Sequence, residues 1–73
     1  MKTKNCMDYF PERLKDLRKE SNLSTTKLGE HIGVSAIAIS RWERGIQIPN
    51  IDYLYRLAKF FNVSSDYLLG LED

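Results

Sequence analysis

Apolar residues recur along the chain with the period of an α-helix. Phe10, Leu14, Leu17 and Ser21 fall at i, i+4, i+7 and i+11, one stripe of a first helix, while Glu12, Arg13, Lys15, Asp16 and Lys19 cover the rest of its surface. Pro11 stands near its start, where a missing backbone N–H costs little, and Asn22 ends it. Ser24 is the natural N-cap of a short second helix with Leu28 and Ile32 inward, stopped by Gly33. Ser35 caps a third helix that runs to about Arg44 and ends at Gly45. Beyond Pro49, Asn50 caps a fourth helix, with Asp52 in its first turn and Ile51, Leu54, Leu57, Ala58 and Phe61 as its apolar stripe. Asn62 is a left-handed terminator, after which Val63, Ser64 and Asp66 open a fifth helix through Leu69. Nowhere do apolar and polar residues alternate beside a two-residue turn, so no strand is expected. The pattern predicts an all-α fold, a compact five-helix bundle.

Composition narrows what such a bundle can do. A chain of 73 residues supplies one core. The expected division is a leader over 1–8, the helical domain over 9–70 and a tail over 71–73. The single cysteine, Cys6, excludes an internal disulfide and a tetrahedral zinc site, so no metal or other cofactor is expected. Cys6 has no neighbouring His to activate it and reads as inert, and a free thiol suits a reducing, cytoplasmic setting. No apolar run reaches the length of a membrane span, and residues 1–7 lack a signal peptide's apolar stretch. One His, one Cys and no clustered carboxylates leave no nucleophile–base pair, so an enzyme is not expected. Asp52 and Asp66 serve helix starts, and Tyr53, Tyr55 and Tyr67 read as the edge of the core.

Residues 23–45, LSTTKLGEHIGVSAIAISRWERG, place two short helices around the turn Gly33-Val34-Ser35. Gly29 removes a side chain where the third helix must cross closely, and Gly33 lets the chain reverse. Val34, Ile39 and Trp42 point inward to meet Leu28 and Ile32. Ile37, Ser40, Arg41 and Arg44 then share the outward stripe at i, i+3, i+4 and i+7, with Ala36 at its leading edge. A helix that hides one face and presents that row suits a DNA major groove. Arg41 has the planar fork to read guanine O6 and N7, and Ala36 and Ile37 suit thymine methyls. Each side chain alone has a blander reading: exposed arginines are ordinarily solvated, a lone surface Ile is normal, and His31 on the outer side of the second helix reads as solvated. The spacing of the whole unit is what carries the inference. The net charge of +1 requires positive charge to be arranged locally.

Residues 12–69 resemble the phage-repressor and Cro type of helix-turn-helix domain, the xenobiotic-response-element family. The phrases that carry the resemblance are RLKDLRKESNLS (13–24), LGEHIGVS (28–35), ISRWERG (39–45) and IPNIDYLYRLAKFFNVSSDYLLG (48–70). The resemblance implies a lambda-repressor-like bundle with its third helix, about 35–44, in the major groove. It assigns base reading to Ala36, Ile37, Ser40 and Arg41. Phosphate contacts fall to Thr25, Ser35, Arg44 and the backbone N–H groups of Ile46 and Gln47. It pairs Arg18 with Glu43 in an internal salt bridge that sets register. Tyr67, Leu68 and Leu71, with Ile46 and Ile48, become candidates for pairing two subunits.

Two departures bear on affinity. The loop after Gly45 is ordinarily basic, yet here it reads Ile46-Gln47-Ile48; and Ala36 replaces a polar or basic residue. Fewer phosphate contacts mean a shallow salt dependence and modest affinity per subunit. That favours a homodimer on a two-fold-symmetric operator in double-stranded DNA, with recognition helices roughly 34 Å apart. The expected function is bacterial or phage transcription regulation on the nucleoid. Repression is preferred to activation because no segment beyond the DNA-binding domain is there to recruit polymerase. The alternatives are an antitoxin-type DNA-binding partner of a toxin, or a protein-interaction module that has lost DNA binding.

Overall fold

Helix starts in this chain are written as short polar side chains. In the computed structural model, which describes residues 4–73, Ser24, Ser35, Asn50 and Ser64 each accept the N3 backbone N–H of the helix they precede. Each cap satisfies one of the donors a helix start leaves unpaired. They open α2 (Thr25–Ile32), α3 (Ala36–Glu43), α4 (Ile51–Phe61) and α5 (Ser65–Leu69). The first helix, α1 (Phe10–Glu20), instead carries Pro11 in its first turn. Residues 1–3 of the expected leader lie outside the described residues. The remainder of that leader includes a 3₁₀ turn, Cys6–Asp8, closed by a reciprocal cap between Asn5 and Asp8 and packed on α1 and α5.

Helix ends follow one rule as well. After α1, α3, α4 and α5 the chain enters the left-handed region at Asn22, Gly45, Asn62 and Gly70. There the next two N–H groups fold back on the last turn: Ile46 N donates to Arg41 O at 3.0 Å and Gly45 N to Trp42 O at 3.2 Å. This is the Schellman arrangement, which satisfies carbonyls that the helix itself cannot. Among the described residues there is no strand, so the all-α bundle expected from the pattern is what forms.

The core is one cluster: Phe10, Leu14, Leu28, Ile32, Ile39, Trp42, Leu57, Ala58 and Leu68. Two expectations are corrected here. Ile51 was assigned to the inner stripe of α4, yet it is 85% exposed, because the first residue of that helix projects past the end of the bundle. Leu68 was a candidate for pairing subunits, but it is fully buried in the core and has no surface to offer a partner. Among the other four candidates, Leu71, Ile46 and Ile48 are exposed and Tyr67 is half-buried beneath the Arg13 guanidinium, 4.4 Å from its ring centroid.

Candidate nucleic-acid interface

Close approach of α2 and α3 depends on Gly29. A Cβ built there would lie 2.4 Å from the Val34 carbonyl oxygen and 3.3 Å from the Ser35 carbonyl carbon, both backbone, so any side chain would push the turn away. Gly33 then takes φ +93°, a conformation that L residues with a Cβ adopt only under strain, and reverses the chain into Ser35. Ile39 and Trp42 face inward onto Leu28 and Ile32. The opposite side of α3 is therefore bound to face out.

Along that outer side Ile37, Arg41 and Arg44 are exposed, while Ala36 and Ser40 are half-buried at its margins. Among the described residues, neither Arg41 nor Arg44 has an acidic partner. Their charges stay available to a ligand, whereas Lys27 on α2 is partly engaged with Glu30 at 3.6 Å. Thr25 is half-buried at the first position of α2, and Ser35 is exposed at the cap of α3. The Ser24 and Ser35 hydroxyl oxygens accept from Lys27 N and Ala38 N. The first two amides of each helix, Thr25–Thr26 and Ala36–Ile37, then have no acceptor within their own helix. Exposed N–H pairs at a positive helix end are what a phosphate oxygen binds.

The loop after α3 is organised differently from the family-based expectation. The backbone N–H groups of Ile46 and Gln47, expected to grip phosphate, both donate to the Arg41 carbonyl, at 3.0 and 3.3 Å. The Schellman closure uses these donors to finish α3, so they are not free for a phosphate. The side chains of Ile46 and Gln47 remain exposed. Gln47 and Ser35 line one concavity of about 450 Å³, together with Ala38, Trp42 and Tyr53. Gln47 thus borders the same concavity as the cap of α3.

Three long-range arginine clasps tie the bundle together, one of them directly on α3. Arg18 on α1 grips Glu43, the last residue of α3, with two parallel bonds: Nε to Oε2 at 2.6 Å and Nη2 to Oε1 at 3.0 Å. Its remaining nitrogen, Nη1, donates to the Leu23 carbonyl at 2.8 Å, so one guanidinium joins α1, the loop before α2 and the end of α3. Only 13% of the Arg18 side chain and 7% of Glu43 are exposed. The hydrogen bonds to Glu43, aided by its charge and opposed by burial, hold the Arg18 pKa above its ordinary value. The other two clasps escaped the sequence reading. Arg56 on α4 donates from Nη1 to the Ile32 carbonyl at 3.1 Å, holding the end of α2 just before the reversal. Arg13 on α1, taken as a surface charge, bonds the carbonyls of Tyr67 and Glu72 and so ties down the C-terminal turn. The one hint for Arg56 was its position four residues after Asp52, with which it pairs at 3.1 Å.

A helix-turn-helix family matches residues 14–68. The chain is 44% identical over 64 residues to the HTH-type transcriptional activator BcrR of Enterococcus faecalis, covering 88% of this chain and 31% of that protein. To the repressor protein C2 of Salmonella phage P22 it is 43% identical over 58 residues, covering 80% of this chain and 27% of the repressor. The crystal structure of the P22 c2 repressor in complex with a synthetic operator is similar with a TM-score of 0.83 at 39% identity, covering 88% of this chain and 97% of that one. The chain thus spans about a third or less of the length of these two curated relatives.

Proposed function

The chain belongs to the helix-turn-helix family, and from that membership and the free outer face of α3 we propose that it binds double-stranded DNA sequence-specifically as a transcription regulator. The resemblance to phage repressors drawn from the sequence holds. In this role α3 lies in the major groove, with Ile37 and Ala36 against thymine methyls and Arg41 on a guanine edge, while Ser40 contacts the neighbouring base pair. Thr25, Ser35 and Arg44 hold phosphates, the first two assisted by the free amides at the starts of α2 and α3. The observation that carries this role is the pairing of opposites on one short helix: Ile39 and Trp42 buried, Arg41 and Arg44 exposed without acidic partners among the described residues.

With few basic side chains on the interface, a single copy binds modestly, and two copies on a two-fold-symmetric operator supply the remaining affinity. A domain seated in the groove excludes polymerase from an overlapping promoter, so repression follows from occupancy alone. Relatives named as an activator and a repressor favour regulation over the antitoxin and interaction-module alternatives. The protein acts in the cytoplasm, on the nucleoid, and no catalytic step or cofactor enters this role. No helix among the described residues is long and apolar enough to cross a membrane.

Selection of bound sites from random duplex DNA tests the proposal. The expected result is one recovered motif with two-fold symmetry and half-sites about one helical turn apart. Recovery of no preferred duplex at low salt would refute it.

A further inference from the structure

One stripe of α4 touches each part of the helix-turn-helix unit in turn. Tyr53, Arg56 and Phe60 fall at i, i+3 and i+7 on that helix. The Tyr53 ring packs against Trp42 of α3 with centroids 5.6 Å apart, and the Phe60 ring stacks on His31 of α2 at 4.7 Å. Between them Arg56 reaches the turn. The amides of Gly33 and Val34 both fold back on the Gly29 carbonyl, at 2.7 and 2.9 Å. The Ile32 carbonyl, the last of α2, takes its hydrogen bond from Arg56 Nη1 at 3.1 Å. Nε of the same side chain pairs with Asp52 Oδ2 at 3.1 Å, which fixes the direction of the guanidinium. A Cβ at Gly33 would lie 3.3 Å from Nη1, so the guanidinium sits directly against the reversal.

We propose, on the basis of the DNA-binding role above, that Arg56 is a positioning residue for that binding. It sets the angle of α2 on α3, so that Thr25 meets a phosphate while Arg41 and Ile37 meet base edges. The two helices are anchored to different neighbours. α3 packs on α1, which also grips Glu43 through Arg18, whereas α2 packs chiefly on α3 and α4. Outside the unit itself, α4 is thus the main support of α2. Thr25 lies at the far end of the eight-residue α2, about 10 Å along its axis from Ile32. A tilt of roughly 6° about the turn carries Thr25 about 1 Å, beyond the spread of normal hydrogen-bond lengths. Global stability depends far less on this clasp. The Arg56 side chain is 50% exposed and that of Asp52 62%, and an ion pair so open to water adds little to the fold. Loss of Arg56 should therefore show in DNA binding before it shows in melting.

The test is a double-mutant cycle on the selected duplex, with Arg56→Met combined separately with Thr25→Ala and with Arg41→Ala. Arg56→Met should melt close to wild type and bind about 10-fold more weakly, the worth of one hydrogen bond to a charged group. Thr25→Ala should then cost little further in the Arg56→Met background, while Arg41→Ala should cost the same in both. Arg56→Lys keeps a donor for the Ile32 carbonyl and should restore both the affinity and the sensitivity to Thr25→Ala. The slope of log affinity against log salt should be the same for wild type and Arg56→Met, since Arg56 acts through α2 and not on a phosphate. Unchanged affinity in Arg56→Met, or costs that add fully with Thr25→Ala, would overturn the assignment. A slope lowered by about 0.9 would overturn it too, by making Arg56 a phosphate contact, as would an Arg56→Lys variant as weak as Arg56→Met. Equal changes in the costs of Thr25→Ala and Arg41→Ala would have the same effect, because Arg56 would then support the fold as a whole. Failure of the wild type to bind any duplex would instead refute DNA binding itself, and the role of Arg56 with it.

Discussion

Replacing Arg18 with Met removes one guanidinium and leaves three acceptors without it: both Glu43 oxygens and the Leu23 carbonyl. Met keeps most of the stem volume, so the change isolates charge and hydrogen bonding from packing. The Glu43 carboxylate, 7% exposed, is then left almost dry and unpaired. Breaking a buried pair from one side costs about 3–5 kcal/mol; with 13% of Arg18 still open to water, the lower end, about 3 kcal/mol, applies. For a domain of this size each kcal/mol moves the melting temperature by about 4–8 °C, so the midpoint should fall by about 10 °C or more. Urea unfolding followed by the fluorescence of Trp42, the single tryptophan and a buried one, measures the cost directly. The pair serves register more than net stability, so adding Glu43→Leu should bring the double variant back to within about 1 kcal/mol of wild type. DNA affinity in the double variant should stay reduced on all duplexes alike, with base preference unchanged. Because the folded-state pKa of Arg18 is raised, its contribution is complete below the ordinary arginine value and is lost only as pH rises through the higher one. The gap between wild type and Arg18→Met should therefore be the same at pH 7 and pH 10. A single-variant cost below about 1 kcal/mol, or a double variant as unstable as the single, would refute this account of the clasp.

Further outcomes follow from the same geometry. Gly29→Ala puts a methyl against the Val34 carbonyl and should destabilise by about 1–3 kcal/mol in the same urea assay; an unchanged midpoint would show that the turn yields freely. Arg41→Ala should cost about 1–3 kcal/mol on the selected site and relax the choice of one base pair, whereas an equal loss on every duplex would make Arg41 a phosphate clamp. Arg44→Ala should weaken binding uniformly and lower the slope of log affinity against log salt by about 0.9, and an unchanged slope would remove it from the phosphate contacts. Replacing the contacted thymines by uracil should weaken wild type more than Ile37→Ala, which keeps only the Ala36 contact to a methyl; equal sensitivity of the two proteins would exclude Ile37 from the thymine contact.

The helical boundaries were legible because they are written in local chemistry. Ser24, Ser35, Asn50 and Ser64 announce caps, and Gly33, Gly45 and Asn62 announce left-handed exits, with no knowledge of the tertiary fold. The buried face of α3 was legible for a similar reason: Ile39 and Trp42 share a face that periodicity alone defines. Features set by the limits of contact between helices were not. Ile51 has the period of the α4 stripe, but period does not say where the neighbouring helix stops. Leu68 and the neighbouring Tyr67 look alike as surface candidates until the packing of α5 on α1 decides between them. Arg13 reaches acceptors 54 and 59 residues away, and no sequence pattern distinguishes that from a solvated charge. The Ile46 and Gln47 amides show the reverse error. Resemblance assigned them to phosphate, while the Gly45 exit, plain in the sequence, turns both onto the Arg41 carbonyl.

Backbone amide NMR of the domain, titrated with the selected duplex, tests the central claim most directly. The largest shifts should fall on Thr25–Lys27, on Ser35–Arg41 and around Arg44, with the amides of α1 and the second half of α4 little changed. Strong shifts centred on α1 or the second half of α4, with the outer row of α3 silent, would contradict it.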